Sequence, residues 1–256
     1  MQELSGGRKG SIFKTEDAVK RPLNPWSSSV HKLLKAFEQQ QIEGVPRVLG
    51  TDKNAEYLSF VEGDTYNYPL VGNVASIQAI ESAAKLLRTI HDASKPLVDE
   101  LKSCNWMLQT REPAEVICHG DFTPYNVALQ GNIVVGVFDF DTAHPAPRIW
   151  DLAYSVYCWA PFKTDPSDRL GNIDEQIARA KCFCDSYGVE REHRKLLQNA
   201  MVSRLQSLVD FMQNEANKGN PQFIQNIRDG HHLSYLEDIA YIQSNSQQIL
   251  DGLCVD

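Results

Sequence analysis

The feature that most limits the fold is a change of local period near Gly63. Before it the chain reads as short strands with one helix inserted. Ser11 to Lys14 and Ala18 to Arg21 are strand-like pieces separated by the turn-prone Glu16-Asp17. The run Trp26-Ser27-Ser28-Ser29 offers N-cap residues for a helix to about Gln41, with Val30, Leu33, Leu34 and Phe37 at helical spacing. Gly44 and Pro46 stop that helix. Arg47 to Leu49 and Tyr57 to Val61 read as two further strands joined across Asp52-Lys53-Asn54.

Beyond Gly63 the period becomes helical. Val74 to His91 carries Ile77, Ile80, Ala84, Leu87 and Ile90 at spacings of three and four. A compact β segment follows: Val116 to Cys118, Asn126 to Leu129, and Ile133 to Phe138 around the turn Gln130-Gly131-Asn132. From Ile149 the pattern is helical only, near 149–160, 173–187, 191–217 and 221–250. This order predicts an α+β, two-lobed chain, with a small β-rich N-terminal lobe over 1–63 and a larger, mainly helical lobe over 64–256.

Composition narrows the class. Hydrophobic residues at 42% and charged residues at 23% are ordinary globular usage, which argues against disorder. The longest apolar stretches, such as Ile133 to Phe138, fall far short of the roughly 18 residues a membrane span needs. The first twenty residues lack an apolar signal-peptide core. Six cysteines without a CxxC pair fit reduced thiols, so a cytoplasmic location is expected. Asp and Glu outnumber Lys and Arg by 33 to 25, and no dense basic run is present, so neither nucleic acid nor membrane is an expected partner.

The densest chemical signal lies between His119 and Asp151, in ICHGDFTPYNVAL, VVGVFDFDTAHP and RIWDLAY. A hairpin through Gln130-Gly131-Asn132 brings Asn126, at the start of one strand, beside Asp139, after the end of the other. Hard oxygen donors then lie near a carboxylate, Asp121, that can accept a proton. Mg²⁺ prefers such donors and commonly takes only one or two from protein, the rest from substrate phosphates. Phosphoryl transfer asks for little more.

HGDFTPYN resembles the catalytic loop of the aminoglycoside phosphotransferase family, the small-molecule branch of the protein-kinase-like fold, in which HGD is followed by four variable residues and Asn. FDFD followed by WDLAY is similar to that family's metal-binding aspartate segment and its next helix. The resemblance runs from about Gly6 to Phe162. It implies a Mg²⁺-dependent kinase that moves the γ-phosphate of ATP or GTP to the hydroxyl of a small molecule, such as an aminoglycoside or another hydroxylated amine. Asp121 becomes the catalytic base, His119 and Asp151 support its loop, and Asn126 and Asp139 become the magnesium ligands, with Asp141 behind them. AVKRP resembles the strand whose lysine holds the α- and β-phosphates, which points to Lys20, with Arg21 as the alternative. Only one of the two can face the cleft, because a strand alternates faces. The family's helix glutamate, partner of that lysine, is missing; His31 stands near its place, and Glu38 two turns later. Gly7 and Gly10 belong to a glycine-rich segment suited to covering phosphates, and the strand carrying Ser59 and Val61, ahead of Glu62-Gly63, to receiving the base edge.

Two other readings use the same residues. A metal-dependent phosphohydrolase would draw on His119, Asp121, Asp139 and His144. A non-catalytic nucleotide-binding module would keep the fold without the chemistry. For the acceptor, Asp165, Asp168, Asp174, Glu175, Asp229, Glu237 and Asp238 are acidic candidates in the helical part, set against their use as an ordinary solvated surface.

Overall fold

The computed structural model describes residues 2–4, 12–16 and 18–255. By packing, the chain forms two compact units. The first takes Met1–Thr65, Leu86–Phe122 and Asn126–Arg148; the second takes Tyr66–Lys85, Thr123–Tyr125 and Ile149–Asp256.

The first unit holds an antiparallel sheet of β1 (Gln2–Glu3), β2 (Phe13–Lys14), β3 (Ala18–Pro22), β4 (Val48–Thr51) and β5 (Ala55–Ser59), in the order β1-β2-β3-β5-β4. Helix α1 (Ser27–Gln39) is inserted between β3 and β4, as the apolar spacing predicts. Val30, Leu33, Leu34 and Phe37 are buried on its one apolar face. The helix ends at Gln39, and Gln41 then takes a left-handed φ of 58° before the chain bends at Gly44.

The β segment of the same unit contains β6 (Val116–Cys118), β7 (Val127–Gln130), β8 (Ile133–Val137) and β9 (His144–Ala146). β7 and β8 form the expected hairpin, with Gln130 opposite Ile133 and Val127 opposite Val137. Gly131, with φ 60°, occupies the first central position of the two-residue turn, where glycine accepts a positive φ at little cost. β9 pairs antiparallel with β6 and was not expected, because His144-Pro145-Ala146 shows no alternation and contains a proline.

The hairpin is fixed at two places by backbone alone. Asp64 exchanges both backbone hydrogen bonds with Leu129, at 2.8 and 2.9 Å. On the other side, the Val137 amide donates to the Gly44 carbonyl at 2.8 Å. Gly44 has φ +74°, and a Cβ there would come within 2.4 Å of the Val135 carbonyl oxygen. Only glycine satisfies both the dihedral and the approach.

Helix α2 (Ile77–Ser94) buries Ile80, Ala84, Leu87 and Ile90 completely, while Ile77 is exposed. Helix α3 (Val98–Leu101) follows it. The second unit carries α4 (Arg148–Trp159), which begins at the last residue of the first, then α5 (Ile173–Tyr187) and α6 (Arg191–Asn217). The single helix expected over 221–250 is three: α7 (Pro221–Arg228), α8 (His231–Ser244) and α9 (Ser246–Cys254). Gly230, with φ 78°, makes the first break, and Asn245 the second. Tyr157, Trp159, Phe162 and Phe183 are among the unit's fully buried large side chains. Among the described residues no helix is long and apolar enough to cross a membrane.

Gly44→Ala should destabilise the fold by about 2 kcal/mol, combining left-handed strain with a displaced hairpin. Thermal denaturation would read this as a drop of roughly 2–4 °C per kcal/mol in a chain of this size. An unchanged melting temperature would show that the Gly44–Val137 bond adjusts freely.

Candidate active site

The loop after β6 is built around His119. Its imidazole is fully buried. Nε2 donates to the Phe138 carbonyl at 3.0 Å, and Nδ1 accepts the Asp121 amide at 3.3 Å. The ring also lies 4.5 Å from the Phe140 ring centroid. Both nitrogens therefore hold backbone in place. Gly120 makes the turn between them, with φ +82° and only 2.3 Å between a notional Cβ and the Thr142 carbonyl oxygen. A side chain at this position would push the 119–121 turn off the 140–142 turn.

Asp121 is half-buried, and its Oδ2 accepts a hydrogen bond from Asn126 Nδ2 at 2.8 Å. The same Nδ2 donates to the Asp121 carbonyl at 3.0 Å. With its nitrogen so committed, Asn126 offers Oδ1 as its donor atom for a cation. The Asn126 carbonyl in turn accepts the Phe138 amide at 3.0 Å, which holds the start of β7 beside Asp139. The rim expected from the sequence is present. Asp139 takes a left-handed φ of 63°, and its side chain is half exposed.

Arg21 joins this group from the sheet. In the β3–β5 register Arg21 stands opposite Glu56, and Lys20 opposite Tyr57. Directly opposed residues share a face, so Arg21 and Lys20 point opposite ways. Arg21 Nε donates to Glu56 Oε1 at 2.8 Å, while Nη1 lies 3.3 Å from Asp139 Oδ1 and Nη2 2.8 Å from Asp141 Oδ1. Glu56 is completely buried. Its Oε1 also accepts from Ser27 Oγ at 3.1 Å, and its Oε2 is bonded to His31 Nε2.

The electrostatics follow from this crowding. Burial works against the charge on Arg21, yet Asp141, Glu56 and Asp139 together raise its pKa. Burial likewise pushes Glu56 upward, but the His31 hydrogen bond and the Arg21 charge outweigh it and hold the carboxyl below its ordinary value. Asp141 goes the other way: burial raises it, Arg21 lowers it, and neighbouring Asp139 raises it again. One guanidinium faces three carboxylates, so the cluster has more acidic groups than cations to balance them. A hard divalent cation such as Mg²⁺ fits that donor set.

Several sequence expectations are corrected or relocated. Lys20 does not face the acid cluster; its ammonium sits 5.7 Å from the Tyr57 ring centroid, near Asp52. The register selects Arg21 instead. Glu38 is exposed and lies 3.9 Å from Arg47, so it is not the carboxylate on the strand cation. Glu56, which the sequence reading missed, is. Ser59 is a poor receiver of a base edge, because its amide donates to the Arg47 carbonyl and its Oγ accepts the Arg47 amide, both at 2.8 Å. Val61, two residues on, lies beyond the end of β5. Gly7 and Gly10 lie outside the described residues. Asp151 is fully buried in the first turn of α4.

The metal-dependent hydrolase reading loses His119 and one nitrogen of His144 as ligands. His119 spends both nitrogens on backbone, His144 Nδ1 is bonded to the Thr142 carbonyl at 2.8 Å, and His119, Asp121, Asp139 and His144 form no ligand cluster among the described residues. The acidic candidates of the helical unit are mostly local supports. Asp238 is buried and accepts from Tyr157 Oη at 2.6 Å and from the Thr164 amide and Oγ1 at 2.6 and 2.8 Å. Asp165 caps the Ser167 turn, and Glu175 closes a capping box with Asn172.

The depressed Glu56 carboxyl carries a pH prediction. The folded state binds its proton more weakly than the unfolded chain, whose value lies near 4.5. Its stabilisation is complete above that value and is lost as pH falls through the lower folded value. Glu56→Gln should therefore lower the melting temperature at pH 7 and flatten its dependence on pH below about 5. A variant with wild-type acid dependence would place the responsible carboxylate elsewhere.

Three comparisons bear on this geometry. Residues 100–193 match the Phosphotransferase enzyme family, a span that contains the whole loop, the hairpin and the FDFD segment. Over 202 residues, 75% of each chain, the protein is 29% identical to a trifolitoxin immunity protein from Rhizobium leguminosarum bv. trifolii. Among solved structures, a Plasmodium vivax ethanolamine kinase superposes with a TM-score of 0.62 at 13% identity, covering 90% of this chain and 81% of that one. The aminoglycoside phosphotransferase APH(3'')-Id from Streptomyces rimosus, solved with ADP and streptomycin, gives 0.52 at 16% identity, covering 76% and 91%. The resemblance read from HGDFTPYN and FDFD is thus borne out: the chain carries the Phosphotransferase enzyme family region at 100–193, on the fold of the protein-kinase-like small-molecule kinases.

Proposed function

We propose that the protein is a kinase that transfers the γ-phosphate of ATP or GTP to a hydroxyl group of a small molecule. The observation that carries this reading is the bonded segment in which Asn126 ties to Asp121 and, through the Phe138 amide, to the residue before Asp139, whose carboxylate meets the Arg21 guanidinium. Asp121 accepts the hydroxyl proton as the acceptor oxygen bonds to the γ-phosphorus and the bond to the bridging β–γ oxygen breaks, releasing the nucleoside diphosphate. Asn126 orients that carboxylate through its 2.8 Å hydrogen bond, and His119 holds the loop. Asn126 Oδ1 and Asp139 would hold Mg²⁺, which when bound offsets phosphate charge. Arg21, rather than Lys20, faces the donor phosphates, and the backbone near Val61 receives the base. In this reading residues 1–63 chiefly serve the nucleotide, residues 64–256 supply the catalytic loop and acceptor-binding helices, and the protein works in the cytoplasm.

A hydrolase is disfavoured by the committed histidine nitrogens, and a non-catalytic module by the intact Asp121, Asn126 and Asp139. Likeness to an immunity protein makes a toxic compound bearing a hydroxyl a candidate acceptor. Trifolitoxin therefore belongs with aminoglycosides and other hydroxylated amines in a screen for ADP or GDP release.

With an acceptor in hand, Asp121→Ala should lower turnover by about 10²- to 10⁴-fold, the usual worth of a general base. A loss below tenfold would assign the base elsewhere. Metal binding and chemistry separate in a second measurement, the melting temperature with nucleotide triphosphate, with and without Mg²⁺. Wild type should rise clearly, as a ligand at a hundredfold excess over Kd adds roughly 2.7 kcal/mol. Asp121→Asn should keep most of the Mg²⁺-dependent rise, and Asp139→Asn should lose most of it. Full retention by Asp139→Asn, with loss in Asp141→Asn, would move the metal ligand by two residues.

A further inference from the structure

A guanidinium has two usable edges, and Arg21 uses them for different purposes. Its Nε edge is tied to Glu56 at 2.8 Å, while Nη1 and Nη2 form a fork toward Asp139 and Asp141. Lysine cannot divide its contacts this way, since it presents one ammonium at the end of a flexible stem. With Asp139 and Asp141 at the fork, the opposite edge of the guanidinium is held at Glu56. The strand register places Glu56 opposite Arg21, but register alone does not fix a carboxylate's rotation.

That rotation is set by α1. Ser27 and His31, four residues apart and so on one helix face, reach the two oxygens of Glu56. Ser27 Oγ also accepts the Asn24 amide at 3.0 Å, which anchors it to the chain entering the helix. Among the described residues His31 has no such second tie, and its side chain is only 12% exposed. Its polar partner is Glu56; its ring bonds neither Arg21, Asp139 nor Asp141. Burying an ion pair adds little net stability over apolar residues of the same volume, so packing alone gives weak reason for a His–Glu–Arg chain here.

We propose that His31, acting through Glu56, is a positioning residue that sets the Arg21 fork for the donor triphosphate. The inference rests on the kinase reading and adds a residue that touches neither nucleotide nor metal. In this arrangement the helix contributes an imidazole, the neighbouring strand the carboxylate, and β3 an arginine. Loss of His31 leaves Glu56 held at Oε1 alone, by Ser27 and Arg21, so its plane and the fork it ties lose order that the nucleotide must then supply at the moment of binding. The cost appears in donor affinity.

The test measures the Kd of MgATP and MgGTP by calorimetry, well below each protein's melting temperature, for wild type and single variants. His31→Ala should weaken the preferred nucleotide about tenfold, equivalent to 1.4 kcal/mol. His31→Gln, whose amide nitrogen reaches about as far as Nε2, should return to within roughly threefold of wild type. His31→Asn, too short to reach Glu56, should resemble His31→Ala and replaces it if the alanine variant does not fold. Arg21→Lys should be at least as weak as His31→Ala. Glu38→Gln, on the exposed side of the same helix, serves as the control and should bind as wild type does. If His31→Ala and His31→Asn melt lower yet bind nucleotide normally, His31 is only structural and the proposal fails. Equal weakness of His31→Gln and His31→Asn would also overturn it, since the hydrogen bond to Glu56 would then not be the cause. If wild type binds neither nucleotide, the kinase reading itself falls and takes this inference with it.

Discussion

Much of the site depends on a single buried cation. Arg21 is 8% exposed and stands among Glu56, Asp139 and Asp141, on two different strands and turns. A buried charge is tolerated only when it is paired and hydrogen-bonded. Removing the guanidinium would leave Glu56 completely buried with only Ser27 and His31, and Asp139 beside Asp141 without a counter-charge. The sheet, the first turn of α1 and the 139–142 turn are thus bound to a common charge balance. That balance is incomplete on its open side, at half-exposed Asp139, one residue beyond the Phe138 amide that pairs with the Asn126 carbonyl. A stable protein has no need of such a surplus of negative charge, whereas the divalent cation of the proposed reaction would offset it.

The 119–126 loop is held by different means. His119 and Gly120 fix it through backbone hydrogen bonds and a close approach that excludes a side chain. The β7–β8 hairpin is likewise pinned by backbone pairing at Asp64 and Gly44. Backbone contacts of this kind tolerate little displacement, so Asp121, Asn126 and Asp139 keep their spacing while Arg21 and its partners adjust the charge around them. Geometry and electrostatics are carried by separate sets of residues, which is why the two can be perturbed separately.

The part of this arrangement governed by local sequence was legible. Asn126 and Asp139 flank a two-residue turn around Gly131, and any hairpin through it puts them on one rim. The burial of Val30, Leu33, Leu34 and Phe37 follows from helical spacing alone. What was not legible depends on pairing between distant segments. A strand with period two says that Lys20 and Arg21 face opposite ways, but not which faces the acids. That choice is made by Glu56, opposite Arg21 in the register, and reading β5 as Tyr57 to Val61 left Glu56 outside the strand. β9 was lost for the same reason, since His144-Pro145-Ala146 becomes a strand only because β6 is there to pair with. The split of 221–250 had a local signal after all: Asp229-Gly230 is a turn dipeptide, and Gly230 breaks the helix there.

The helical unit follows a different logic, visible in what its acidic residues do. Asp238 is buried and saturated by Tyr157 and Thr164. Asp165 and Glu175 close turns and a helix cap, Asp174 accepts from Gln248 at 2.6 Å, Asp229 accepts from Gln225 at 2.8 Å, and Asp168 lies 3.4 Å from Lys163. Lys163 in turn rests over the ring of Tyr68, 4.3 Å from its centroid, so this carboxylate and these aromatic rings already hold a cation belonging to the chain itself. Reading a polycationic sugar takes carboxylates free to turn toward it, and six of the seven candidates are engaged in local structure, leaving Glu237 exposed. Net charge of -8 still favours approach of a cation over an anion, but approach is a long-range effect and recognition a short-range one. For the kinase proposed above, this balance favours an acceptor recognised by shape and hydrogen bonding around its hydroxyl over one gripped by a ring of acids.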